Sequence, residues 1–176
     1  ILKSMNRKHA IYDYLEIIKN LMKVKPNIKF SSDFIIGYPG ETYSDFKETI
    51  KIMNEVKFIN SYSFIYSARP GTPAYNLKNV DPKEAKDRLI EFQEVAEKIK
   101  TQYRKKLINE TAIVLFENQI KNEKKYFGRD EFYNSVIVES SENLTGKIKN
   151  VKILNGNHNT LYGEIETNSN QKSYAA

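Results

Sequence analysis

The feature that most constrains this chain is residues 30–46, which read FSSDFIIGYPGETYSDF. The apolar run at 34–36 predicts a short strand buried on both faces. The Pro-Gly pair behind it predicts a tight turn, because proline fixes one φ angle and glycine accepts a positive one. Thr42 and Asp45 have the capping-box spacing that begins a helix. The stretch therefore predicts a strand–turn–helix unit, whose turn is where parallel α/β folds bind ligands.

The flanking sequence predicts a second unit of the same kind. Apolar residues recur at helical spacing over 10–24 and 44–56, and the β-rich run 62–66 predicts another strand. Alternating helices and strands imply parallel strands joined by a right-handed crossover. The second strand runs into a loop, SARPGTPAYN, that carries Arg69. We expect this loop and the Pro-Gly turn to share one mouth if the strands are neighbours.

A long helix is predicted from about residue 81 to residue 108. Asp81 suits the N-cap, and Glu84 stands where its side chain can bond back to that cap. The last turns are basic and include Lys105 and Lys106. Two interpretations stay open for these cations, since they complement the helix dipole and also suit contact with a nucleic acid.

The sequence pattern changes in residues 111–167, where short β-branched runs are separated by Asn, Gly and Ser. This pattern predicts an antiparallel all-β module, and its small size favours a closed barrel. Residues 128–130 are predicted to open a loop, and residues 155–156 to form a hairpin turn. The polar tail 168–176 is predicted to be disordered.

Composition narrows the chemistry that this chain can perform by itself. It has no cysteine, which excludes disulfides and thiolate metal sites, and His9 and His158 are too far apart in sequence to suggest a metal site. We therefore predict no metal ligand and no catalytic residue. Residues 1–110 hold 20 basic and 14 acidic side chains, and residues 111–166 hold 7 and 8. The basic excess favours an anionic partner, although a lysine-rich genome would produce the same bias.

Four strings in order support a family resemblance: MNRKHAIYDYLEII, SSDFIIGYPGETYSDFKETI, YSFIYSARPGTPA and YFGRDEFYNSVIV. Over residues 1–166 the chain resembles the C-terminal part of radical S-adenosylmethionine methylthiotransferases, and in particular the tRNA-modifying, MiaB-type branch. The resemblance implies an α/β fold in which residues 1–80 end a partial, TIM-like barrel of parallel strands. Residues 81–110 would be a linking helix, and 111–167 a small all-β RNA-binding barrel of the TRAM type.

The resemblance also implies an activity. Such enzymes attach a methylthio group to carbon 2 of an isopentenylated adenosine beside the tRNA anticodon, with S-adenosylmethionine and two [4Fe–4S] clusters as cofactors. The cluster cysteines would lie upstream, so we expect these 176 residues to be a fragment that is inactive alone. The expected partners are the tRNA anticodon stem-loop and unidentified sulfur or iron–sulfur donors. We expect a cytoplasmic monomer without membrane contact.

The resemblance assigns roles to particular residues. Ile35 and Gly37 match the fifth-strand motif that contacts the adenine side of the cofactor. Arg69 matches the sixth-strand Arg-Pro-Gly loop, and Arg7 a basic residue near the start of the matching region. These four are the predicted cofactor-binding residues, and the role of Asp33, which stands before the strand motif, stays open.

Four further residues are predicted to bind RNA. Arg129 and Asn134 match the TRAM signature, and Lys105 and Lys106 end the basic helix. Neighbouring aromatic side chains could stack on bases, with core packing as the alternative for at least half of them; they are Tyr126, Phe127, Phe132 and Tyr133.

Other functions fit the same sequence. The branches that modify a ribosomal protein or threonylcarbamoyladenosine in tRNA share the architecture. A hypothesis of another class is a non-catalytic RNA-binding adaptor that keeps the barrel remnant only as a scaffold.

Overall fold

The computed structural model describes residues 1–166. The chain divides into two compact units, Ile1–Lys100 and Thr101–Ala176, and each is described by itself. The predicted disordered tail, 168–176, and the last residue of the predicted β-module, Thr167, lie outside the described residues.

The first unit alternates helices and strands, as the periodicity predicts. Its elements are α1 (Ile11–Val24), β1 (Ser31–Ile36), α2 (Tyr43–Val56), β2 (Asn60–Ile65), a 3-10 turn (Pro73–Asn76) and α3 (Pro82–Leu107), which enters the second unit at its end. The strands β1 and β2 pair in parallel, with Ser31 opposite Asn60 and Ile36 opposite Ile65. This confirms the parallel pairing expected from the crossover pattern.

Among the described residues of the first unit, the helices cover one face of this sheet and leave the other uncovered. Phe34 and Ile36 point to that face and join a core that includes Phe46, Met53 and Phe92. The prediction of a strand buried on both faces is therefore wrong for Ile35, which is 43% exposed. Its side chain alternates to the opposite face, where it lies beside Phe64 of β2, itself 57% exposed.

The helix starts follow the capping rules with one difference. Thr42 accepts a bond from the Asp45 amide, and the Asp45 carboxylate accepts one from the Thr42 amide, which confirms the capping box. Asp81 accepts bonds from the first amides of α3. Glu84 does not bond back to this cap, because its carboxylate pairs with Arg88 one turn along the helix.

The second unit is a closed five-stranded barrel that follows the last turns of α3. Its strands are β3 (Thr111–Gln119), β4 (Lys125–Asp130), β5 (Ser135–Glu139), β6 (Ile148–Gly156) and β7 (Thr160–Ile165), in the order β3-β4-β5-β7-β6. Alternate residues of these strands fill its core, which includes Val114, Phe116, Val136, Val151 and Leu161. Because the sheet closes on itself, each strand is paired on both edges. The small closed barrel predicted from the sequence is therefore confirmed.

Three details of the barrel differ from the sequence predictions. The barrel is mixed rather than antiparallel, because β5 and β7 pair in parallel. Residues 128–130 lie inside β4 and not in a loop. Gly128 permits this, since a Cβ there would stand 2.5 Å from the Leu115 carbonyl oxygen of the neighbouring strand.

The hairpin turn is also displaced. Asn155 and Gly156 belong to β6, because a register shift between Ile153 and Asn155 carries the pairing on to Gly156 opposite Leu161. The turn instead occupies 157–159, and Asn157 closes it by accepting bonds from the amides of residues 159 and 160.

Candidate cofactor cleft and RNA-binding surface

A cleft of about 910 Å³ opens at the C-terminal ends of β1 and β2. It brings together Arg7, Ile35 and Arg69, three of the four predicted cofactor-binding residues. The shared mouth expected from the two strand-end loops is therefore present, since parallel strands end at the same edge of a sheet.

The N-terminal residues reach this cleft through a compact turn. The Arg7 amide donates to the Leu2 carbonyl oxygen at 2.9 Å, and the Tyr38 hydroxyl donates to the Ser4 carbonyl oxygen at 2.8 Å. The Tyr38 ring in turn packs edge-to-face on Tyr66, with centroids 5.1 Å apart. Two tyrosines thus connect the segment that carries Arg7 to the strand ends.

Gly37 is placed differently from the other three residues. Its backbone has φ +73°, and a Cβ there would stand 2.9 Å from the Ala85 Cβ on α3. Its amide donates to Glu41 Oε2 at 2.7 Å in a buried bond. The structure thus gives Gly37 a part in forming the turn, and its predicted contact with a cofactor stays a prediction.

A buried ion pair beneath this turn was missed by sequence reasoning. Arg88 Nη1 lies 2.9 Å from Glu41 Oε2 and also donates to the Glu41 carbonyl oxygen at 3.0 Å. Both side chains are only 4% exposed. The signal was available, because Arg88 stands between Ala85 and Leu89 on the apolar stripe of α3, where a cation needs a partner.

Tyr66 lines the cleft, and the sequence did not single it out. Its hydroxyl oxygen is buried and has no hydrogen-bond partner within residues 1–166. Because buried polar groups are normally satisfied, this hydroxyl suits a polar ligand atom. With apolar walls from Ile35 and Phe64 and the cations Arg7 and Arg69, the cleft fits a ligand that has a flat apolar part and an anionic group.

Metal ligands are not assembled in the described part of the chain. Within residues 1–166 no group of three or more His, Cys, Asp or Glu side chains could hold a metal ion. The chain has no cysteine, so it provides no thiolate for an iron–sulfur cluster. Across the same residues no helix is both long enough and apolar enough to cross a membrane.

The barrel carries the predicted RNA-binding Arg129 on the outer face of β4. Its guanidinium lies 5.3 Å from the Phe127 ring centroid and 5.6 Å from that of Tyr133. Its Nε forms an ion pair with Glu117 Oε1 at 3.2 Å. Arg129 is therefore part of a surface cluster of one cation and two aromatic rings, in which Tyr133 is exposed and the other two residues are half-buried. In contrast, Tyr126 is 4% exposed and belongs to the core.

Asn134 is buried beside the same loop, at 4% exposure. Its side-chain amide donates to Asp130 Oδ2 at 2.8 Å and to the Tyr103 hydroxyl at 3.3 Å. Burial raises the pKa of Tyr103, and the bond from Asn134 offsets part of that rise. The visible role of Asn134 is to hold the loop, and its contact with RNA stays a prediction.

Lys105 and Lys106 are exposed in the last turn of α3, and their role in RNA binding stays a prediction. The residue before them, Arg104, is buried instead. Its guanidinium donates to three consecutive carbonyl oxygens of the β6–β7 turn, those of residues 157–159. The basic helix end is thus divided between one structural cation and two solvent-facing ones.

Comparison with known proteins finds relatives that match almost the whole chain. No protein-family model matches it. It is 47% identical over 172 residues to the tRNA-2-methylthio-N(6)-dimethylallyladenosine synthase of Pelagibacter ubique (strain HTCC1062), an alignment that covers 98% of this chain and 39% of the relative. Synthases of the same name from Wolbachia pipientis subsp. Culex pipiens (strain wPip) and Ehrlichia canis (strain Jake) are 43% and 39% identical, over 93% and 94% of this chain and 38% of each relative.

The chain therefore belongs to the family of these tRNA methylthiotransferases and matches their C-terminal portion. It spans well under half the length of the curated relatives that it matches. The resemblance inferred from the four sequence strings is confirmed.

Proposed function

We propose that the chain is the C-terminal part of an enzyme that adds a methylthio group to carbon 2 of N6-isopentenyladenosine, next to the anticodon of tRNA. The observation that carries this proposal is the 47% identity, along 98% of the chain, to a synthase named for that product. The ribosomal-protein and threonylcarbamoyladenosine branches are less well supported, because the relatives compared above bear the dimethylallyladenosine name.

In this proposal β1 and β2 are the last parallel strands of a partial TIM-like barrel in residues 1–80. The uncovered sheet face supports it, since Ile35, Tyr62 and Phe64 are all exposed there. In a barrel that face would turn inward and be covered. The linking role of residues 81–110 is part of the same proposal.

The cleft is proposed to bind S-adenosylmethionine. Ile35 would provide an apolar wall for the adenine, and Arg7 and Arg69 would provide cations for the carboxylate. The buried Tyr66 hydroxyl would take a polar atom of the ligand. When bound, S-adenosylmethionine and two [4Fe–4S] clusters supply the radical and sulfur-transfer chemistry, and this chain contributes binding and orientation. The cluster cysteines would come from outside it.

The barrel of the second unit is proposed to bind the tRNA anticodon stem-loop. Arg129 and the aromatic rings beside it at the barrel surface support this, because proteins commonly recognise unpaired RNA by stacking and by contacts to phosphates. A cytoplasmic, monomeric enzyme supplied by unidentified sulfur or iron–sulfur donors completes the proposal.

A chimera tests the proposal. This chain would replace the C-terminal portion of a related synthase in a bacterial strain that lacks the enzyme, and digested tRNA would be examined by mass spectrometry. We expect 2-methylthio-N6-isopentenyladenosine to return. A stable chimera that binds tRNA and leaves it unmodified would favour the adaptor hypothesis, and methylthiolation of a ribosomal protein would favour the other branch.

The cofactor assignment has its own readout, equilibrium binding of S-adenosylmethionine to the purified chimera. Arg69→Ala is expected to weaken binding by at least about tenfold, because charge-assisted hydrogen bonds are worth about 1.5–3 kcal/mol. Tyr66→Phe tests the buried hydroxyl alone. Tyr75→Phe is the control, since Tyr75 is 49% exposed and does not line the cleft. Unchanged binding in both cleft variants would contradict the assignment.

A further inference from the structure

The outer face of the barrel carries a cluster of Phe127, Arg129 and Tyr133 that we name the stacking cluster. We propose that it binds one unpaired RNA base, which stacks on the Tyr133 ring while Arg129 holds that ring and contacts the adjoining phosphate. This inference rests on the proposed tRNA substrate, and it assigns Tyr133 as a residue that contacts that substrate.

Tyr133 is in a conformation that a tyrosine rarely adopts. Its φ is +64°, in the left-handed region that favours Gly, Asn or Asp. Its side chain is nevertheless 74% exposed, so the fold gains little from burying the ring. Backbone strain combined with an exposed aromatic ring is typical of a functional position.

A buried network holds this loop in place. Asp130 Oδ1 accepts bonds from the amides of Phe132 and Asn134, at 2.9 and 2.8 Å, and the Tyr133 amide donates to the Asp130 carbonyl oxygen at 3.0 Å. Asp130 and Asn134 are 7% and 4% exposed. Because these bonds fix the backbone on both sides of Tyr133, the loop that presents the ring needs no further backbone ordering when a ligand binds.

Arg129 is oriented for the same task. Its guanidinium lies within 6 Å of both rings, at 5.3 Å from Phe127 and 5.6 Å from Tyr133. Glu117 engages Nε only, so the terminal nitrogens are not part of that ion pair. These nitrogens carry N–H donors that suit a phosphate. The negative charge of Glu117 offsets part of the Arg129 charge, so the cluster does not attract every anion equally.

The surface beside Arg129 suits a base better than a highly charged ligand. Leu115 lies opposite Arg129 on β3, and Ile148 lies opposite Leu115 on β6. These two side chains are 47% and 65% exposed. An apolar strip next to a cation and an aromatic ring matches a nucleotide, which has a flat apolar base and one charge. A peptide ligand is the alternative that the experiment below would reveal.

The test uses full-length enzyme carrying this C-terminal part and an unmodified anticodon stem-loop with 2-aminopurine at single loop positions. We expect quenching of the 2-aminopurine fluorescence at one position on binding, and loss of that quenching in Tyr133→Gly. The affinity should fall by about tenfold, in the range expected when one base loses its stacking partner. The melting temperature of Tyr133→Gly should equal or exceed that of the parent enzyme, since glycine relieves the positive φ.

Tyr133→Phe should retain both affinity and quenching. Arg129→Lys keeps the charge and loses the planar group, so its affinity should fall as well. Tyr12→Ala is the control, because Tyr12 is similarly exposed, at 71%, and lies on α1. A peptide site would leave RNA affinity unchanged in every one of these variants.

Failure of this inference is distinguishable from failure of the proposed function. If the parent enzyme forms the methylthio nucleoside and Tyr133→Gly binds RNA as the parent does, only the stacking cluster is rejected. If the parent enzyme neither binds nor modifies tRNA, the proposed function is rejected. A lowered melting temperature of Tyr133→Gly with unchanged RNA affinity would assign Tyr133 to the fold and also overturn the inference.

Discussion

At the scale of single residues, two side chains decide how the turn after β1 is held. Glu41 and Arg88 are buried together, and Arg88 also contacts the half-exposed Glu84. A buried charge is costly unless it is paired and hydrogen-bonded. We therefore expect the pair to define the geometry of the turn at the mouth of the cleft and to add little to the net stability of the fold.

Glu41→Ala should lower the free energy of unfolding of the chain by about 3–5 kcal/mol, because it leaves the Arg88 guanidinium buried without its main partner. Urea denaturation followed by circular dichroism measures this change. Glu84→Ala is the matched control and should cost no more than about 1 kcal/mol, since that carboxylate is 51% exposed. Equal losses in the two variants would contradict the assignment.

The Thr42 cap should show a pH signature. Its hydroxyl donates to Asp45 Oδ2 at 2.6 Å, and this bond, followed by the one from the Thr42 amide, lowers the pKa of Asp45. A carboxyl group with a lowered pKa stabilises the fold above its unfolded pKa, and that contribution is lost as the pH falls through the folded value. The stabilisation should therefore be complete at neutral pH and fade below about pH 4.

Thr42→Ala should accordingly cost about 1 kcal/mol at pH 7, and less below about pH 4. Urea denaturation at several pH values follows the difference from the parent chain. Thr72→Ala is the control, because the Thr72 hydroxyl donates to the Arg69 carbonyl oxygen and not to a carboxylate. A difference for Thr42→Ala that does not change with pH would count against the role of Asp45.

At the scale of elements, the close approach of the β1–α2 turn to α3 depends on one glycine. Gly37 and Gly40 stand in the same turn and both have positive φ, +73° and +83°. A Cβ at Gly37 would stand 2.9 Å from the Ala85 Cβ, whereas a Cβ at Gly40 would meet nothing within 4 Å. Substitution at Gly40 therefore tests backbone strain alone, whereas substitution at Gly37 tests backbone strain together with the steric contact.

Gly40→Ala should lower the free energy of unfolding by about 1–2 kcal/mol, because a left-handed backbone is unfavourable for alanine. Gly37→Ala should cost more, since α3 must also move away from the turn. Comparing the two midpoints of urea denaturation isolates the contact with Ala85. If Ala85→Gly restores most of the difference in the Gly37→Ala background, the contact is established, and no restoration would refute it.

At the scale of the whole molecule, charge is distributed unevenly along the chain. Residues 1–110 carry a net charge of +6, with Lys105 and Lys106 at the end of α3, and residues 111–166 carry −1. Attraction for RNA is then expected to depend on particular cations and not on a uniformly basic surface.

Lys105→Ala with Lys106→Ala should weaken binding of the anticodon stem-loop by the full-length enzyme and reduce the salt dependence. The slope of log K against log salt concentration should fall by about 1.4 if both lysines neutralise phosphates of unpaired RNA. The Lys105→Arg, Lys106→Arg variant keeps both charges and should keep the slope. If the alanine variant has an unchanged slope, these lysines interact with the helix dipole and do not contact RNA phosphates.

The local elements could largely be predicted, because their signals are contained in short stretches. The Pro-Gly turn, the Thr42 cap and the period of α2 depend on neighbours within a few residues. The strand 125–130 was missed, because Gly128-Arg129-Asp130 is typical of a loop. Antiparallel pairing with the neighbouring strands β3 and β5 overrides the local preference.

The candidate site shows the same division. Arg7, Ile35 and Arg69 were predicted from motifs and do meet at one cleft, while Tyr66 and the Glu41–Arg88 pair were not predicted. The sequence by itself determined the family, the alternation of helices and strands in the first unit and the absence of thiolate ligands, since these depend on residue types and local spacing. Only the tertiary structure decided that Ile35 lies on the sheet face away from the helices, that Asn134 is buried, and that Tyr133 is held exposed in a strained backbone. Those properties depend on which sheet face the helices cover, on the contact of Asn134 with Tyr103 of α3, and on the bonds that Asp130 makes within its loop. Residue types and local spacing alone do not specify these contacts.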